Sequence, residues 1–221
     1  MTPTTEGALS YKLGLSQIID GYSGNEHALP PPMLHRDMTK LFAESGTSST
    51  LTLMITHGGV PADTSFIARR QPLNNEKYAA FAPDWFIQRE FSDVPAMDQN
   101  KFLYRAFAAS ALRVHREGGH VGLGAHGDLP GLGTIWEIEA YVEGGWQPAE
   151  AIWAATMGSA ETIARDDSLG SLVPGKVADL VVLEENPTDN IRTIEQVIHV
   201  MKDGHLYVGD TLEEHPLTRT P

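Results

Sequence analysis

The 221 residues include no cysteine. That excludes disulfides, thiolate zinc ligands and a cysteine nucleophile, so any metal must be held by His, Asp or Glu. Positive charge is scarce: 16 Lys+Arg stand against 29 Asp+Glu, for a formal net charge of -13. A phosphate backbone or an anionic lipid surface would be repelled, so neither nucleic acid nor membrane is expected as a partner. No apolar run nears the ~18 residues of a membrane span, and the N-terminus MTPTTEGALSYK lacks the basic segment and apolar stretch of an export signal. A soluble protein, cytoplasmic by default, is the expectation. Missing too are G-x-S-x-G, a serine followed by Lys at the third position, and the Walker and dinucleotide glycine spacings. A serine hydrolase and a nucleotide-binding fold are therefore unsupported.

What is present alternates. Leu9 to Asp20 has helical spacing, and Gly21 to Leu29 reads as a strand stopped by Pro30-Pro31-Pro32. Met33 to Ser45 is helical, with Gly46 placed to cap it, and the β-branched run Thr47 to Thr56 predicts a buried strand. Lys101 to Glu117 is the clearest helix, and His120 to Ala125 a third strand. Helices over Thr134 to Glu143 and Pro148 to Ala164 follow, the latter with proline in its first turn. Between the second and third strands, 60–100 combines prolines with aromatics and reads as a lid-like insertion, a packed loop with short helical pieces. Past Asp167 the pattern turns to short strands, Val177 to Glu184, Val197 to Lys202 and His205 to Val208, the last two joined by the hairpin signal Asp203-Gly204. This divides the chain into 1–166, an α/β unit, and 167–221, a small β-domain segment.

Strands alternating with helices imply a parallel sheet, either open and doubly wound or closed as a barrel. In both, chemistry gathers where the strands end in loops. His27, His57 and His126 each fall at such an end, and Asp128 follows two residues later. With 9 histidines in the chain, any one of these is ordinarily a backbone-bonded structural residue. Three imidazoles converging from adjacent strands are nonetheless the donor set that a divalent ion, zinc foremost, would use. Asp128 could complete the coordination or accept a proton from water. Glu137, near the start of a helix, ordinarily suits the helix dipole and is the remaining candidate for substrate contact, with His57.

The run Gly144-Gly145-Trp146-Gln147-Pro148-Ala149-Glu150-Ala151, then Ala155-Thr156, Leu169-Gly170-Ser171-Leu172, Pro174-Gly175-Lys176, Ala178-Asp179-Leu180-Val181-Val182-Leu183 and Val200-Met201-Lys202-Asp203-Gly204 carries a resemblance. It resembles the C-terminal signature of the amidohydrolase superfamily, above all imidazolonepropionase-like members and those with a TolB-like propeller. The resemblance implies a partial (β/α)₈ TIM barrel, with strands six to eight and their helices, followed by a small β-sandwich-like segment. It makes His27 a metal ligand at the end of strand six. His126 stands where most members end strand eight in a metal-binding aspartate, a feature of the propeller-bearing branch. The HxH pair of strand one, the Lys or Glu of strand four and the histidine of strand five have no counterpart, the chain beginning after them.

These readings lead to a metal-dependent hydrolase of amide, ester or cyclic amide bonds acting on a small molecule. His27, His57 and His126 are its metal ligands, and Asp128 and His126 its catalytic groups. A homo-oligomer or partner chain would complete the barrel. Two alternatives are an inactive truncated member serving as half of a split enzyme, and metal-free promiscuous chemistry in the strand-end cavity.

Overall fold

The computed structural model describes residues 3–7, 10–55, 61–91, 98, 101–126 and 129–218, the side chains of 88–90 excepted. Strand β1 (Thr4–Thr5), helix α1 (Tyr11–Ile19), strand β2 (Gly24–Asn25), helix α2 (Arg36–Ser45) and strand β3 (Ser48–Leu51) come first. Helices α3 (Ala62–Arg70), α4 (Glu76–Phe81), α5 (Asp84–Phe91) and α6 (Tyr104–Arg116) lead to strand β4 (Val121–Leu123). Helices α7 (Leu132–Glu143), α8 (Pro148–Trp153) and α9 (Ser159–Thr162) follow.

The four strands pair in chain order and all in parallel, Thr4 opposite Gly24, Gly24 opposite Ser48 and Ser49 opposite Val121. No reversal of order, which a doubly wound sheet requires, occurs among them. The sheet has one strand more than the sequence reading gave it. Two threonines carry no periodicity, so β1 is invisible until its pairing is seen.

Period-two alternation sends Ser49 and Leu51 toward α2 and α6, where they meet Phe42, Phe107 and Val114. Thr50 and Thr52 take the other face. Helix α2 buries Met38 and Phe42, one turn apart, and ends as expected on Gly46, whose φ of 74° is the left-handed cap that glycine reaches without strain. Helix α6 buries Tyr104, Phe107, Ala111 and Val114, and the Trp146 indole N–H donates to the carbonyl of Ala108 at 2.9 Å.

Residues 62–91 hold the expected short helical pieces, as α3, α4 and α5. Ala62 and Phe66 of α3 are fully buried, and Phe66 stacks on Trp136 of α7 at 5.6 Å between ring centres. Arg69 pairs with Glu143 at 2.8 Å, and Arg70 with Glu139. Helix α3 is thus bolted to α7, which leaves α4 and α5 as the outer part of the insertion.

The expected continuous helix over 148–164 is broken by a π-turn at Ala154–Gly158. The Ser159 hydroxyl donates five residues back to the carbonyl of Ala154 at 2.8 Å and accepts the Leu123 N–H at 3.0 Å. A side chain at Gly158 would put its Cβ 2.4 Å from the Val121 carbonyl oxygen. The extra residue in the turn lets this segment lie against the outer edge of β4.

The C-terminal sheet is antiparallel, in the order β5 (Leu180–Leu183), β6 (Val197–Lys202), β7 (His205–Val208). Asp203 and Gly204 turn the β6–β7 hairpin with φ of 50° and 81°, the doubly positive geometry of a two-residue loop. Among the described residues no helix is long and apolar enough to cross a membrane.

Candidate functional site

His27 lies just beyond β2 and is buried. The Asn25 carboxamide donates to its backbone carbonyl, and the Thr52 hydroxyl meets its Nδ1. Its Nε2 stands 3.2 Å from a carboxylate oxygen of Glu6, which follows β1 and whose side chain is otherwise open to solvent. Thr52 follows β3, so the ends of three neighbouring strands converge on one imidazole.

His126 follows β4 in the left-handed region, with φ of 58°. Such a backbone costs about 1–2 kcal/mol for a residue with a Cβ and turns the chain sharply at the strand end. Strands β2 and β4 are separated by β3, which puts them roughly 9–10 Å apart. The two rings nevertheless approach to 5.6 Å between centroids, tilted by 42°. They lean toward each other over the end of β3, one buried and one exposed.

Of the other expected site residues, His57 and Asp128 lie outside the described residues. Glu137 is fully buried, and its two oxygens accept the backbone N–H groups of Leu53 at 2.6 Å and Met54 at 3.0 Å. Burial pushes its carboxyl well above the ordinary range, against the pull of those two bonds. Helix α7 begins at Leu132, so Glu137 sits in its second turn rather than at a dipole-favoured start. A carboxylate with both oxygens engaged in the core has no face toward a substrate; its work is to fix the turn after β3 and with it Thr52. The sequence reading missed Glu6 and Thr52. Thr52 lies inside the predicted strand Thr47 to Thr56, and an outward position two beyond Thr50 was the available signal.

Farther along α7, Glu143 accepts from the Tyr104 hydroxyl and pairs with Arg69 and with Arg105, the latter at 2.6 Å. Burial pushes its carboxyl up, but the Tyr104 hydrogen bond and the two guanidinium groups outweigh that and hold it below the usual range. Burial and the Glu143 contact in turn push the Tyr104 hydroxyl far up. This cluster ties α3, α6 and α7 together.

Two imidazoles side by side suit a divalent ion in donor chemistry, and a ligating histidine ordinarily has its second nitrogen held by a neighbour, as Thr52 holds Nδ1 of His27. A catalytic centre takes three protein donors. Among the described residues no group of three or more His, Asp or Glu is placed to hold one. Among the described residues the approach of these two rings is thus a pair of nitrogen donors and no more.

The comparisons agree on kinship. The model of the amidohydrolase family matches residues 35–207. Ochratoxinase from Aspergillus niger is 40% identical over 85 residues, which cover 36% of this chain and 18% of that protein. A crystal structure of a Xaa-Pro dipeptidase with bound methionine in its active site superposes with a TM-score of 0.59 at 26% identity, over 93% of this chain and 44% of that one. The crystal structure of A. niger ochratoxinase gives a TM-score of 0.61 at 22% identity, over 90% of this chain and 40% of the other. The chain thus spans less than half the length of these relatives. With parallel strands in unbroken order, histidines at two of their ends and a family match over most of its length, the chain belongs to the amidohydrolase family.

Proposed function

We propose that the chain forms a segment of a (β/α)₈ barrel in a metal-dependent hydrolase of amide, ester or cyclic amide bonds. The observation that carries this is the approach of His27 and His126 across the end of β3, the place where barrel enzymes gather their chemistry. One of its structural relatives bears the name of a dipeptidase, which supports a hydrolytic reaction class.

His27, through the nitrogen opposite Thr52, and His126 would hold the ion, with His57 and Asp128, which lie outside the described residues, as further donors on the sequence reading. A divalent ion so bound supplies Lewis acidity and an acidified water. The chain's own residues do the positioning. Thr52 and the Asn25 carboxamide hold His27 in one orientation, Glu137 holds the segment that carries Thr52, and Glu6 places a carboxylate beside Nε2 of His27. Glu6 either joins the ion or accepts the proton that Nε2 carries without one. A second copy or a partner chain that adds strands to the outer edge of β1 would bring the remaining donors.

A second reading is a catalytically inactive chain that binds a complementary one. Elemental analysis of the purified chain, with His27→Ala and His126→Ala alongside and hydrolysis of simple esters and amides in parallel, separates the two. Near-stoichiometric metal that falls in both variants together with activity is the expected result. Neither metal nor activity would overturn the hydrolase reading and leave the inactive chain.

A further inference from the structure

Two cavities meet at Pro130, four residues after His126 in the chain. One, of about 280 Å³, lies between α4, the Pro130-Gly131-Leu132 entry to α7 and the start of β6. The other, of about 210 Å³, lies between α4, α5 and Pro130. Tyr78, Phe81 and Pro130 line both, so they form one groove with two lobes. Its walls are mainly aromatic and aliphatic, and Phe81 and Trp85 stand 61% and 63% exposed. Two large aromatics open to water beside a concave wall are an energetic cost that burial of a ligand would relieve.

The polar groups in the walls are already spent or of the wrong sign for an anion. The Lys77 ammonium donates to the Gly209 carbonyl and lies 3.9 Å from Asp210. The Asn75 side chain accepts the Tyr78 N–H at 3.0 Å, and Glu195 adds negative charge. The groove therefore favours an uncharged apolar group. A cavity of about 150 Å³ suffices for benzene, so either lobe takes a substituted aromatic ring.

Its place ties it to the candidate site. Pro130 is four residues beyond His126 in the chain, so their Cα atoms are at most ~14 Å apart. A substrate with its ring against Pro130 therefore has no more than about this distance to span to bring its scissile bond to His126. We infer that the α4–α5 groove is the substrate's side-chain subsite, and that it takes an aromatic or bulky apolar group carried by a neutral amide or ester. The cleavage part of this rests on the hydrolase reading above; the binding part stands on the groove alone.

The test is calorimetric titration of the full chain with N-acetylphenylalaninamide and with N-acetylglycinamide, repeated on Phe81→Ala and Trp85→Ala, and hydrolysis followed in the same samples. The phenyl probe is expected to bind roughly ten- to a hundredfold tighter, the worth of burying one aromatic side chain. Both variants, at positions more than half exposed, are expected to lose most of that preference with an unchanged unfolding midpoint. Equal affinity for the two probes, or a preference that survives both substitutions, overturns the subsite. Preferential binding without cleavage keeps the subsite and removes the hydrolase reading, and cleavage indifferent to the side chain does the reverse.

Discussion

Replacing Glu137 by alanine takes away the acceptors of two backbone N–H groups, those of Leu53 and Met54, at 2.6 and 3.0 Å. Both residues are buried, so water cannot take the carboxylate's place without opening the core. An orphaned buried amide costs about 1–3 kcal/mol. Two of them, with the space left by the side chain, come to about 3–6 kcal/mol, a large share of the roughly 5–15 kcal/mol that holds a domain together. Glutamine keeps one acceptor and turns an amide N–H toward the other donor, so its cost should be about 1–3 kcal/mol. The pH dependence gives a second handle. Burial raises the carboxyl in the folded chain, so the stability linked to its proton is fully present below its ordinary value of 4.5 and is lost as pH rises through the folded value. Neither variant has this group to titrate. The gap between wild type and either variant should therefore be wide near about pH 5 and narrower near about pH 8. Urea unfolding at both pH values, with the m-value checked for two-state behaviour, measures it. A loss below about 1 kcal/mol for the alanine variant would refute the anchoring role. A gap that widens with pH would mean that the two N–H bonds, and not burial, set the protonation state.

Thr52→Val removes the hydroxyl that holds Nδ1 of His27 and should cost about 1 kcal/mol by urea unfolding. On the metal-dependent reading it should also weaken zinc binding in a titration by roughly 10–100-fold, and unchanged affinity would show that Thr52 does not orient the ring. Gly158→Ala would force its Cβ to within 2.4 Å of the Val121 carbonyl oxygen and 2.9 Å of the Trp153 ring. A loss of about 1–3 kcal/mol is expected, read as a lower thermal midpoint, and an unchanged midpoint would mean that the π-turn is not locked against β4. Glu143 is held low by Tyr104, Arg69 and Arg105 against the effect of burial, so its contribution is present above the ordinary carboxylate value and lost as pH falls through the folded one. Glu143→Gln should therefore flatten the acid limb of the stability profile while lowering stability at neutral pH, and an acid limb as steep as that of the wild type would count against the cluster.

What the sequence made legible were the features carried by neighbours in the chain. The apolar spacing of α2 and α6, the glycine that stops α2 and the Asp203-Gly204 turn are local signals, and each stands where it was read. The prolines and aromatics of the insertion predict a packed loop with short helical pieces, but not where the pieces dock: Phe66 is drawn inward by Trp136, 70 residues later in the chain. Strand β1 escaped notice because a two-residue strand is defined only by its partner.

The candidate site was legible to the same extent and for the same reason. Strand ends marked His27 and His126 as candidates because the end of a strand can be read locally, whereas what those residues touch cannot. The partners of His27 come from beyond β1 and from the end of β3, 21 and 25 residues away; Glu6 has no mark in its own neighbourhood, and Thr52 only its alternation with Thr50. Glu137 is the sharper case. An acidic residue near a helix start has a ready local explanation in the helix dipole, but the amides it serves belong to Leu53 and Met54, more than 80 residues earlier. Its burial is what distinguishes the two explanations: a dipole partner stays in water, whereas the two N–H bonds that Glu137 accepts offset only part of a desolvation that still holds its carboxyl above the ordinary range. A buried acid on a helix that faces the ends of parallel strands should therefore be examined first for the backbone it holds in place, and for substrate only when one of its oxygens remains unspent.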